Sequence, residues 1–327
     1  MLRIGIPSAL FYYVYYPIWK TYFEELGLQV VTSGKTTRQL LDNGVREALA
    51  DACVPVKVYF GHAMALIDRV DYLFIPRIVC LNKKTVYCPK FLGLPDMIRY
   101  GLANMPPIID VRIDARDRKY SLYSAYYKIG EMLGKTSMHI TRAFLKAGIN
   151  QFRFQKLLCG GLQPIEAIDN IYNGKKNYPP ENKGQLKFAV VGYPYIIHDQ
   201  YISIGIVDKL RKMKVNVITS DNLSPFTLRI QRHASAKRLF WTFSERTLRA
   251  TRYFARQKDI DGIIHLTAFG CGPDSIVDRF IQLNNYSSTI PFMSLTIDEH
   301  SGEAGISTRL EAFVDMVKRK KGAYHNA

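Results

Sequence analysis

Three of the five cysteines in this 327-residue chain stand one or two positions ahead of a proline. Cys53 precedes Pro55 in DACVPVKVYF, Cys88 precedes Pro89 in VYCPKFLGLP, and Cys271 precedes Pro273 in AFGCGPDS. Proline is well tolerated in the first turn of a helix, because the N–H it lacks would be unpaired there in any case. A cysteine just ahead of it then sits at a helix N-terminus, where free amides and the helix dipole favour the thiolate. That is the form that binds metal or attacks as a nucleophile. The sequence contains no C-x-x-C, so the local signatures of zinc-ribbon, thioredoxin-like and ferredoxin-like sites are missing. The spacing is compatible both with three thiols converging on one metal centre and with three separately buried thiols. Cys80, ending the strand-like PRIVC, and Cys159, after a helix in KLLCGG, read as structural.

Other polar groups have competing roles. TIDEHSGEAG gathers Asp298, Glu299, His300 and Glu303 in a glycine-containing loop after a predicted strand. An imidazole among carboxylates could serve as a base, but Ser301 and the acidic residues would equally suit a helix start. His62 in FGHAM and His198 in YIIHDQ receive no catalytic assignment. Arg246, Arg249, Arg252 and Arg256 recur at helical spacing. They form either a solvated face opposite Leu248 and Phe254 or a docking face for an anion or acidic partner. FYYVYYPIW reads as packing rather than a base-stacking platform.

These residues need a scaffold, and the pattern around them is α/β. LRIGIPSA, YPIWKTYFEEL and QVVTS read as strand, helix and strand. TRQLLDNGVREALAD and VKVYFGHAMALID read as helices, and VDYLFIPRIV as one buried strand. From DARDRKYSLYS to about residue 173 the pattern reads as helical and polar on one face, a connector or cap, and NGKKNYPPENKGQ after it has the composition of a linker. The alternation then resumes with LKFAVVG, VNVITSD, DGIIHLTAF and IPFMSLTI as strands. The expected fold is α/β, with two Rossmann-like doubly wound lobes and a helical middle segment. The expected boundaries are an N-terminal lobe over 1–115, a helical connector and linker over 116–184, and a C-terminal lobe over 185–327.

Composition is that of a folded protein, with 47% hydrophobic and 22% charged residues. Pro7 and Pro17 interrupt the early apolar run, and no stretch has the length of a membrane span, so a cytoplasmic protein without a membrane role is expected. In a reducing cytosol, five unevenly spaced cysteines argue against a disulfide framework. The net charge of +17 suits anionic cofactors, an acidic protein or nucleic acid. Nucleic-acid binding ranks last, because no recognised motif accompanies the charge.

MLRIGIPSALFYYVYYPIWKTYFEELG, ACVPVKVYFGH, YLFIPRIV, YCPKFLGLPDM, GIIHLTAFGCGPDS and DEHSGEAGISTRLEAFVDM occur in this order over nearly the whole chain. Together they resemble the activase-related relatives of the 2-hydroxyacyl-CoA dehydratase subunits, sequences labelled CoA-substrate-specific enzyme activase. The larger superfamily includes benzoyl-CoA reductase subunits and double-cubane cluster proteins. The resemblance implies a 4Fe-4S cluster held between α/β lobes by Cys53, Cys88 and Cys271, with a double-cubane centre as the variant form. It further implies an ATP-dependent activase as electron donor, a CoA thioester as possible substrate, and pairing as a homodimer or with a related subunit. ATP would belong to the partner, because this chain has no G-x-x-x-x-G-K-[ST]. The implied role is that of an oxygen-sensitive iron-sulfur protein receiving low-potential electrons, in reductive chemistry related to 2-hydroxyacyl-CoA dehydration. A non-catalytic electron-transfer or cluster-carrier subunit is the alternative.

Overall fold

The computed structural model describes residues 1–175, 186–231, 239–283 and 290–325. Two compact units make up the chain. The first comprises Met1–Leu157, Pro164–Lys175 and Leu239–Thr242, and the second the remaining segments. Residues 176–185, most of the expected linker, and 232–238, ahead of the arginine-rich segment, lie outside the described residues. Among the described residues, no helix is long and apolar enough to cross a membrane.

The first unit opens with β1 (Arg3–Ile6), α1 (Tyr12–Glu25), β2 (Gln29–Thr32), α2 (Arg38–Glu47) and α3 (Val54–Met64). It continues through β3 (Tyr72–Phe74), β4 (Arg77–Cys80), α4 (Pro89–Gly101), β5 (Ile108–Ile109) and β6 (Arg112–Asp114). The helical segment then contributes α5 (Leu122–Met132), α6 (Ser137–Cys159) and α7 (Pro164–Tyr172). β2, β1, β3 and β5 form a parallel sheet in that order, and β4 pairs in parallel with β6. The single strand expected over VDYLFIPRIV is thus two strands. Pro76 stands between them, and its missing N–H interrupts the ladder. α1 begins earlier than the sequence pattern indicates and carries Pro17 internally. Its aromatic side chains pack as expected: Tyr22 and Phe23 are fully buried, Phe23 meets Phe74, and the Tyr22 hydroxyl donates to the Tyr126 carbonyl.

In the second unit the order is β7 (Leu186–Gly192), α8 (Pro194–Ile197), α9 (Ile206–Lys212), β8 (Val215–Thr219) and α10 (Pro225–Ile230). Then come α11 (Thr242–Ala255), β9 (Gly262–Ala268), α12 (Gly272–Leu283), β10 (Phe292–Ile297) and α13 (Glu303–His325). Its sheet is parallel throughout, in the order β10-β9-β7-β8. Every residue of β9 is buried, as a parallel strand covered on both faces requires. Ala189, Val191, Ala250, Phe254 and Ile263 lie in one apolar cluster beside this sheet. Both units therefore have the Rossmann-like arrangement, with the first strand of each flanked by its second and third.

α2 and α3 pack backbone against backbone. A Cβ on Gly44 would lie 1.9 Å from the Lys57 carbonyl oxygen, and one on Gly61 would lie 1.9 Å from the Leu40 carbonyl oxygen. The helix backbones thus touch where neither residue has a side chain. Gly61→Ala should cost about 3 kcal/mol of folding free energy by forcing the helices apart. Gly148→Ala, whose Cβ meets nothing within 4 Å on α6, should instead gain up to about 1 kcal/mol. Denaturant titration distinguishes the two, and an unchanged midpoint for Gly61→Ala would refute the close crossing.

Candidate functional site

Cys53 and Cys88 are the residues immediately preceding α3 and α4, with extended backbone at φ −67° and −54° respectively. Pro55 and Pro89 lie in the first turns, as the sequence pattern predicts. The Cys53 carbonyl accepts from the Val56 and Lys57 N–H groups at 2.9 and 3.2 Å, and the Cys88 carbonyl accepts from Phe91 N–H at 2.9 Å. Cys53 is buried and Cys88 half-buried. Burial pushes the Cys53 thiol up, against the pull of the Lys90 ammonium and the Val56 N–H, and neighbouring Cys88 adds a further upward push. Burial likewise raises the Cys88 thiol, opposed by the Lys90 N–H and its ammonium. The two thiols and Lys90 therefore share one electrostatic neighbourhood within the first unit. Lys90 was not singled out in the sequence, although its place two residues into a helix starting at a cysteine is the available signal.

Two further contacts hold this neighbourhood. The chain returns at Leu239–Thr242 to lie beside Val86: Val86 N–H donates to the Phe240 carbonyl at 3.1 Å, and Thr242 N–H donates to the Val86 carbonyl at 2.8 Å. On α3, buried His62 bridges the Ser33 hydroxyl through Nδ1 at 2.7 Å and the Thr36 hydroxyl through Nε2 at 2.8 Å. Burial lowers its pKa to about 4, so it is neutral at pH 7 and can donate to one hydroxyl while accepting from the other. His62 is thus a tether between α3 and the loop after β2.

In the second unit, Cys271 is buried just before α12, and its carbonyl accepts from Ser275 N–H at 3.0 Å. It lies beyond the carboxyl end of β9, the edge where open parallel sheets place ligands. α12 is fixed to the sheet by buried charge. His265 on β9 faces Asp274 at 3.4 Å and Asp278 at 3.1 Å, and Ser294 on β10 donates to Asp278 at 2.7 Å. Neither His265 nor these aspartates were sequence candidates. A histidine inside an otherwise apolar strand, followed by two acidic residues one helical turn apart, is the signal they left.

Most of the remaining candidates have structural partners, and the others are exposed. Cys80 is buried and its thiol donates to Asp114 at 3.1 Å, while Arg112 and Arg116 hold the same carboxylate well below the usual range. Cys159 is exposed at the end of α6. His198 and Arg246 both contact buried Asp221, at 2.7 and 2.9 Å. Burial alone would raise Asp221, but Arg246 and His198 together lower it. Arg249 pairs with Glu245 at 2.6 Å, Arg252 is buried, and Arg256 lies past the end of α11 and is exposed. Of the four arginines, Arg246, Arg249 and Arg252 are engaged inside the second unit, so only Arg256 has the exposure that a solvated face requires. Asp298 and Ser301 cap each other ahead of α13, and exposed Glu303 pairs with Lys209 at 2.5 Å. Glu299 is half-buried and His300 exposed in this loop, whose contacts are those of a helix start. Among the described residues, no group of three or more His, Cys, Asp or Glu side chains is gathered to hold a metal ion.

Two parallel α/β units, each with a thiol at the start of a helix, define a Rossmann-like two-unit protein. The family model described as CoA enzyme activase uncharacterised domain matches residues 3–223, more than half of the chain, and the protein belongs to that family. The matched span includes Cys53 and Cys88 and stops before Cys271. A search of curated proteins finds no match to this chain.

The charge cluster anchoring α12 makes stability depend on pH. Burial alone would lower the His265 pKa, but Asp274 and then Asp278 outweigh it and raise it to about 9, above the ordinary 6.5. The folded state therefore holds this proton more tightly than the unfolded state. Its contribution is fully present below pH 6.5 and is lost as pH rises through about 9. His265→Gln should flatten that part of the profile of melting temperature against pH. Parallel profiles for the variant and the parent protein would show that His265 is neutral in the fold.

Proposed function

We propose that this chain is an iron-sulfur protein of the CoA-enzyme activase system, kin to the 2-hydroxyacyl-CoA dehydratase and benzoyl-CoA reductase subunits. In this reading it receives low-potential electrons from an ATP-dependent partner and supports reductive chemistry on a CoA thioester. The observation that carries the proposal is the pairing of Cys53 and Cys88 at the starts of two helices, in one neighbourhood with Lys90. Family membership supports the link to a CoA enzyme but does not by itself assign the cluster.

What supports such a group is that two thiol donors, Cys53 and Cys88, share one neighbourhood, while among the described residues no third donor is gathered with them. Cys53 and Cys88 would hold it from the first unit, and the family resemblance implies Cys271, the other thiol at a helix start, as the third ligand. When bound, a 4Fe-4S cluster supplies one-electron transfer at low potential. The protein's own part is to prepare the ligands. Burial keeps the Cys53 and Cys88 thiols protonated in the absence of a cation, so each must lose a proton to ligate. The Val56 and Lys90 amides and the Lys90 ammonium favour the resulting anions. Cys80 stays outside the set because its thiol donates to Asp114, a carboxylate that also serves two arginines.

Iron and acid-labile sulfide, with electron paramagnetic resonance on anaerobically prepared protein, test the proposal. About four irons per chain are expected, lost in Cys53→Ala, Cys88→Ala and Cys271→Ala and retained in Cys80→Ala and Cys159→Ala. A value near eight would indicate a fused centre. Iron-replete anaerobic protein without a cluster, or one that keeps its cluster in the first three variants, would sink the assignment.

A further inference from the structure

α6 is apolar on two opposite sides. Ile140, Ala143, Ala147 and Phe154 are buried, whereas Met138, Leu145, Ile149 and Phe152 are 76%, 61%, 61% and 71% exposed. Met138, Leu145 and Phe152 recur every seven residues, with Ile149 four after Leu145. At about 100° per residue these four form a single narrow seam, the spacing of helix-on-helix packing, on the side away from the buried one. A shallow, open depression of about 610 Å³ lies over the first part of the seam, lined by α6 residues alone, Met138, Arg142, Leu145, Lys146 and Ile149 among them. Isolated exposed apolar residues need no explanation, but a contiguous row of four on one helix marks an interaction site.

The flanks of the seam differ. Helical spacing puts Arg142, Lys146 and Arg153 along one side and Thr141, Gly148 and Gln155 along the other. Lys146 already shares Glu25 at 2.8 Å, and α6 itself contains no acidic residue. Gly148 has nothing within 4 Å of a Cβ position, so that flank leaves room for a close-approaching backbone.

We propose that this face of α6 docks an α-helix of a partner protein whose apolar seam is flanked on one side by Asp and Glu. The asymmetry selects this occupant. A second copy would bring an α6 without carboxylates and a Glu25 already paired with its own Lys146, leaving little to meet the basic row on a chain of net charge +17. A membrane-surface helix needs a broad apolar face bordered by basic residues on its polar side, whereas this seam is narrow and has a small, uncharged flank. The occupant thus packs helix against helix, with apolar anchors supplying affinity and the charged row fixing its orientation. The proposal stands independently of the cysteine site.

The test uses the full chain and a fluorescent synthetic peptide of heptads with Leu at the two seam positions and Glu at the flanking positions. A counterpart with Lys for Glu and phosphatidylserine vesicles serve as comparisons. The Glu peptide should bind, weaken as salt is raised, and lose roughly tenfold in affinity in Leu145→Glu and in Phe152→Glu. Both exposed-site variants should melt like the parent protein. Any of four results overturns the proposal: no Glu-peptide binding, equal binding of the Lys peptide, vesicle binding abolished by the same variants, or self-association through this face in sedimentation.

Discussion

The backbone contact of α2 on α3 at Gly44 and Gly61 is the constraint on which the first cysteine site depends. Two glycines in helix interiors each cost about 1 kcal/mol relative to alanine, and both carbonyl contacts would be lost with any larger residue. What offsets that cost is burial: every residue of α3 from Val54 to Ala63 is buried, including Lys57 and His62. A helix enclosed on all sides cannot rotate to favour one face, so its direction must be set by contacts of another kind. The glycine crossing sets its distance from α2, and His62, bridging Ser33 and Thr36, ties it to the loop after β2. Cys53 inherits its position from both.

The second unit reaches a similar arrangement with different chemistry. Its thiol also begins a helix beyond a parallel strand, but α12 is held by His265 against Asp274 and Asp278. Buried ion pairs are poor sources of net stability, because desolvation consumes most of the attraction, yet losing one partner leaves an uncompensated charge. Such a pair acts by making wrong arrangements costly. His198, Asp221 and Arg246 form a second buried charged set in the same unit, and Asn222 beside it donates to the Leu158 and Leu162 carbonyls at 2.8 and 3.1 Å. Hydroxyl and backbone contacts thus position the thiol-bearing helix in the first unit, and buried charge does so in the second.

Much of this was legible in the residues because it is local. Strand and helix alternation follows hydrophobic period, and β7 and β8 fall where LKFAVVG and VNVITSD put them. A cysteine just before a proline-bearing first turn is likewise a local signal, and Cys53 and Cys88 both obey it. Pro76 could have warned that VDYLFIPRIV is two strands, since a proline denies its ladder a donor. The fate of the arginines was not legible. The spacing of Arg246, Arg249 and Arg252 puts them on one face of α11, but whether that face meets water or Asp221 and Glu245 is decided by residues distant in sequence or on the same helix.

Gly44 shows the same limit in sharper form. In LLDNGVRE, an Asn-Gly pair has the composition of a turn, yet the chain passes through it as helix because Lys57 of α3 occupies the space a side chain would need. Local propensity is overruled there by a contact that only the assembled unit contains. α6 presents the converse case. Its apolar residues exceed what one buried face requires, and that excess is visible in SMHITRAFLKAGINQFRFQKLLC before any packing is known. A sequence can thus declare that a helix has a second apolar side, while the unit's own packing decides which of the two sides faces outward.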